Sequence, residues 1–174
     1  MRRWIVAPVL TVLLLIGAGT AASAAPATAG SGSGWVPAPS APFDRAAGVL
    51  CDFPIHGTPI VDEVRKRTLQ TNPDGTVRSE VYVGRLVVRV TNTDTGAYYD
   101  ADASGDAVIV YAGDGSSTWY VHGPVLVGFR EGTGNLPRGL YVIDGLYRLA
   151  FAPDGYKTLT LVRGSTDNIC THLA

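Results

Sequence analysis

Seven residues, Asp100-Ala-Asp102-Ala-Ser104-Gly-Asp106, place oxygen ligands at alternate positions and end on a glycine turn. That is how the first half of a calcium loop begins. The twelfth position of such a loop should supply a bidentate Glu and here is Tyr111, and the flanks read as strands. The same residues also read as a polar strand running into a Ser-Gly-Asp turn. Asp94-Thr95-Gly96 matches the aspartic-protease triplet, with Val125-Leu-Val-Gly128 as a loose counterpart of the later apolar-Gly segment. Asn92-Thr93 stand where two apolar residues belong, so a strand ending in a turn explains the triplet better.

His56, His122 and His172 share no metal-ligand spacing. No Gly-x-Ser-x-Gly elbow, phosphate loop or dinucleotide fingerprint is present, so no cofactor is expected. The most suggestive stretch is Trp119-Tyr-Val-His-Gly-Pro124, with further aromatic residues at Tyr141 and Tyr147. Trp119, Tyr120, His122, Tyr141 and Tyr147 are the pocket-lining candidates; if the face carrying Tyr120 and His122 points inward, it gives a mixed lining that suits a small apolar ligand. If Trp119 and Val121 point inward instead, Tyr120 and His122 face solvent. One residue of register separates the two readings.

Cys51 and Cys170 are the only cysteines. An exported chain with an even count points to one disulfide, which here would join the start of the domain to its end. No Cys-x-x-Cys redox motif competes with that reading.

The elements that must position these residues alternate with period two from Pro54 onward. Leu86, Val88 and Val90 oppose Arg85, Arg89 and Thr91, and Tyr147, Leu149 and Phe151 oppose Arg148. Turn signals recur at 72–75, 94–96, 104–106, 113–116, 144–145 and 153–155, each with a Gly beside Asp or Pro. No segment between strands is long enough for a crossover helix. The expected fold is all-β, an antiparallel meander closed into a barrel of about eight strands, with a β-sandwich as the alternative. The stretch 138–151 is apolar on both faces in part and is expected to be the best buried.

Residues 1–24 read as a signal peptide, with Arg2 and Arg3, an apolar run from Ile5 to Ile16, and Ala22-Ser23-Ala24 for cleavage. The apolar run is short of the ~20 residues that span a bilayer. Residues 25–42 read as a flexible Ala/Pro/Gly/Ser linker containing one aromatic, Trp35, and 43–174 as a single domain. A secreted, extracellular protein without a stable membrane anchor after cleavage is expected. The 174 residues carry 14 basic and 15 acidic side chains. Loss of Arg2 and Arg3 leaves a weakly acidic chain with no expected affinity for nucleic acid.

Taken together, the Cys-Asp-Phe-Pro start at 51–54, the Pro-Asp-Gly turns, Ser-Thr-Trp-Tyr at 117–120, Gly123-Pro124, Leu136-Pro-Arg-Gly-Leu140 and the closing Cys170 resemble small secreted actinobacterial proteins of unknown function. The resemblance spans most of 43–174 and implies no activity. At fold level the chain is similar to lipocalin-like or dirigent/allene-oxide-cyclase-like barrels. It departs from the lipocalin Gly-x-Trp signature, because Ser33 precedes Gly34-Trp35. Three functions follow as expectations. The first is a non-catalytic small-molecule-binding module. The second is a non-catalytic interaction domain. The third is a barrel enzyme of dirigent or cyclase type using His122, Tyr120 or Asp100.

Overall fold

The computed structural model describes residues 34–174. The expected signal peptide and the first part of the linker lie outside the described residues. The strands are β1 (Val36–Pro37), β2 (Phe43–Arg45), β3 (Ile55–Asp62), β4 (Arg65–Thr71), β5 (Val77–Val83), β6 (Leu86–Asn92), β7 (Tyr98–Asp102), β8 (Asp106–Tyr111), β9 (Ser117–His122), β10 (Val125–Phe129), β11 (Gly139–Phe151) and β12 (Lys157–Asn168). A 3-10 turn, Ile169–His172, follows β12. All strand ladders are antiparallel.

Most of these strands are halves of longer paths. β3 and β4, β5 and β6, β7 and β8, and β9 and β10 are each separated by only two or three residues. β11 pairs with β12 on one side, and on the other with β10 over 139–143 and with β9 over 146–151. The breaks line up across the meander. A side chain at Gly84 would meet the backbone of Glu63 and Val64, and Gly105 packs on Gly123 and Pro124. Gly123 donates to the Gly145 carbonyl at 2.8 Å. Gly145 pairs with Gly164 in register, and both have positive φ, 128° and 132°. A Cβ on either would strike the opposite backbone, so this crossing excludes side chains.

This glycine crease divides the pairing into an eight-stranded sheet, β1-β4-β5-β8-β9-β11-β10 with β12 beside β11, and a four-stranded sheet, β2-β3-β6-β7. The ladders leave the larger sheet open, since no pairing joins β1 to β10 or β12. Two of the expected turns, 104–106 and 144–145, are crease positions within long paths. Three of the hairpin tips, at 72–76, 112–116 and 152–156, share one device. In each, an Asp carboxylate (Asp74, Asp114, Asp154) accepts the backbone N–H two residues on, at 2.9 Å.

Alternation sends side chains into two cores. The first gathers Ile109, Val121, Phe129, Tyr141, Ile143, Tyr147, Leu149 and Leu159. The second gathers Leu50, Ile55, Val88, Val90, Leu140, Ile169 and Leu173. β10 and the first half of β11 serve both. Val127, Phe129, Tyr141 and Ile143 face the first core, while Leu126, Leu140 and Val142 pack on the second. That two-sided burial explains the doubly apolar sequence at 139–143, whereas from Asp144 onward the face carrying Asp144, Leu146 and Arg148 is exposed.

The described part of the linker stretch runs along the domain. Val36 and Pro37 pair with Lys66 and Arg65. Ala38 donates to the Val64 carbonyl at 2.9 Å, Ser40 donates to Asp62 at 2.6 Å, and Trp35 lies under the Arg67 guanidinium at 5.1 Å.

Candidate functional site

Cys51 and Cys170 are bonded, with Cα atoms 5.4 Å apart. Arg138 holds the same corner by donating to the Cys51 carbonyl at 3.3 Å and pairing with Asp52. The buried Asn92 amide donates to the Leu173 carbonyl at 2.9 Å and pins the C-terminal turn against the four-stranded sheet.

The five aromatic and histidine candidates divide between two faces. Trp119 lies inward beside Phe151, ring centroids 4.9 Å apart. Tyr141 and Tyr147 are buried in the same core. Their hydroxyls donate to the Pro137 carbonyl at 3.1 Å and the Ile143 carbonyl at 3.2 Å. Burial pushes both phenols above the ordinary tyrosine pKa, with the Asp144 charge adding to the effect at Tyr147. Tyr120 is 54% exposed and His122 is exposed on the opposite face. The register pairs Tyr120 with Arg148 and His122 with Leu146.

The calcium-loop candidates are engaged separately. Asp100 takes a bidentate Arg89 at 2.7 and 2.8 Å. Asp102 caps its turn by accepting the Ser104 N–H at 2.9 Å, and the Ser104 hydroxyl donates to the Leu86 carbonyl at 3.1 Å. Asp106 is exposed at the start of β8. Among the described residues, no three His, Cys, Asp or Glu side chains gather closely enough to hold a metal ion. Asp94-Thr95-Gly96 forms the β6–β7 hairpin turn. His56 contacts Asp44 at 2.8 Å, while His172 contacts Asp167 at 3.0 Å and stacks on Tyr99.

Two arrangements were not foreseen from the sequence. The first is a buried carboxylate. Glu80 is 5% exposed and meets Lys66 at 3.0 Å, the Tyr82 hydroxyl at 2.9 Å and the Tyr111 hydroxyl at 3.2 Å. Burial alone would raise its pKa. The hydrogen bonds from Lys66 and Tyr82, the ammonium charge and the Tyr111 hydroxyl outweigh that and hold it below the usual glutamate value. Desolvation, then Glu80 itself, raises Tyr82. With every partner satisfied, the cluster is a structural polar knot on the core face of the sheet. Period-two alternation from Tyr82 places Glu80 inward, which is the signal a sequence reading could have used.

The second is a groove of about 480 Å³ where β2, β10, β11 and the β11–β12 hairpin meet. Phe43, Leu50, Leu126 and Leu140 form its apolar wall, and Arg45, Arg130, Thr133, Asp154 and Lys157 its polar side. Glycines let the wall close up. Phe43 lies flat on Gly57, and the Leu50 methyls sit over Gly128 where a Cβ would be within 2.9 Å. Arg45 folds over the Phe43 ring, its guanidinium 5.2 Å from the centroid, and donates to the Asp44 carbonyl. The Lys157 ammonium stands 5.7 Å from the Phe129 centroid. Burial, then the neighbouring Arg130 charge, lowers its pKa. These residues lie far apart in sequence, and no local spacing announces them.

No family model, curated protein or solved structure matches the chain in the three comparisons.

Proposed function

We propose that this protein is exported, is cleaved after Ala24, and acts outside the cell as a non-catalytic small-molecule-binding module with the groove as its ligand site. The observation that carries the reading is the 480 Å³ groove, whose apolar wall is bordered by a few charged side chains. Ligand sites of this kind run from about 300 to 1,000 Å³. The disulfide is compatible with an oxidising compartment. Barrel character enters this reading as a partly open form. Its support is that the first core is drawn almost wholly from strands of the one larger sheet. An enzyme of dirigent or cyclase type has less support, because Tyr120 and His122 stand on the exposed face and Asp100 is held by Arg89.

A thermal-shift screen of small apolar and amphipathic compounds tests the proposal. Binders should raise the melting temperature of the native protein and lose that effect in Thr133→Trp, which obstructs the groove. A screen in which no compound shifts the melting temperature would sink it.

A further inference from the structure

We infer that the groove selects a small anionic amphiphile, a monocarboxylate on an apolar body, an inference that rests on the groove being the ligand site. Arg45, Arg130 and Lys157 bring three cations to one cleft. Three other cations, Lys66, Arg89 and Arg138, are matched to carboxylates, while other unpaired arginines such as Arg65 and Arg148 stand exposed outside this groove; what sets Arg45, Arg130 and Lys157 apart is that they share one apolar-walled cleft. Among the described residues, no carboxylate lies within 4.0 Å of the three groove cations. Asp154, the acidic residue of the lining, already accepts the Tyr156 N–H. Counting it still leaves a surplus of positive charge in a chain whose overall formal charge is −1.

Like charges held together at a partly desolvated wall repel, and an anion between them removes that cost. Arg45 is folded over Phe43 and donates to the Asp44 carbonyl, whereas backbone hydrogen bonds join Arg130 to Thr133 at 3.2 Å and Thr133 to Lys157 at 2.9 Å, bringing Arg130 and Lys157 together beside Thr133 on one side of the groove. They are therefore the carboxylate partners, and the apolar wall receives the rest of the ligand. Planar guanidinium and ammonium donors suit a carboxylate.

The test measures binding of decanoate, decanol and decylamine to the disulfide-bonded protein by isothermal titration calorimetry. Decanoate should bind at least tenfold more tightly than decanol, and decylamine least. Arg130→Gln alone, and together with Lys157→Gln, should weaken decanoate at least tenfold more than it weakens decanol. The single variant alters an exposed side chain, so it reports even if the double variant folds poorly. Decanol binding equal to decanoate, or unchanged decanoate affinity in Arg130→Gln, would overturn the charge selection and leave the groove reading intact. Failure of all three probes, with no other ligand found in the thermal-shift screen, overturns both.

Discussion

Lys66 on β4 reaches diagonally across the ladder to Glu80 on β5, placing its ammonium 3.0 Å from a carboxylate that is almost wholly buried. Lys66 is register partner to Tyr82, so one face of two strands supplies the cation, the anion and a phenol. The folded-state pKa of Glu80 is depressed, so its ionised form contributes stability above the ordinary glutamate pKa near 4.3. That contribution disappears as pH falls through the lower folded value. Glu80→Gln should cost about 1–3 kcal/mol at pH 7. It should also flatten the acid limb of the stability curve. Urea denaturation from pH 7 down to pH 3 reads both effects.

The covalent link joins residues 119 positions apart in sequence. Reduction, or Cys51→Ser with Cys170→Ser, should lower stability by about 2–5 kcal/mol. Loss should be greatest in the second core, where Leu50, Ile169 and Leu173 depend on the tether. Thermal melts with and without a phosphine reductant measure it, and a melting temperature unmoved by reduction would contradict this account.

Core and outer face should respond differently to truncation. Leu149→Ala removes a fully buried side chain and should cost about 2–5 kcal/mol. Tyr120→Ala and His122→Ala alter the exposed face and should stay within about 0.5 kcal/mol. They should leave ligand binding in the groove unchanged, which calorimetry can check on the same samples.

The crease offers a sharper contrast. Gly75 has a positive φ at an open hairpin tip, so Gly75→Ala should meet only backbone strain of about 1–2 kcal/mol. Gly164→Ala, at φ 132°, lies further from the left-handed well and also meets the Asp144 carbonyl, and should be the more damaging change. Comparing their denaturation midpoints tests whether the crease is a steric requirement.

Period-two alternation made the strands, the antiparallel pairing and the inward set at 147–151 legible in the sequence, and cysteine count made the disulfide legible. The turn chemistry was legible only in part. Asp-Gly at 74–75, 114–115 and 154–155 closes hairpins, whereas Gly105 and Gly145, beside equally turn-like residues, crease a strand that then continues. Both uses require glycine, and only long-range pairing separates them. The side assignment at 119–122 was ambiguous for the same reason, since it is fixed by partners such as Leu149 and Arg148. The groove was invisible because Arg45, Arg130 and Lys157 meet through tertiary closure alone.

The double-duty layer formed by β10 and early β11 has a mechanical corollary. Leu140, at the groove, and Tyr141, in the first core, are chain neighbours projecting to opposite sides of a single thickness of backbone. An occupant of the proposed site pressing on Leu140 would act directly on the aromatic interior behind it, with no intervening layer to absorb the pressure. Occupancy of the cleft should register in the environment of Tyr141 and of Phe129, whose ring meets it edge-on at 5.8 Å.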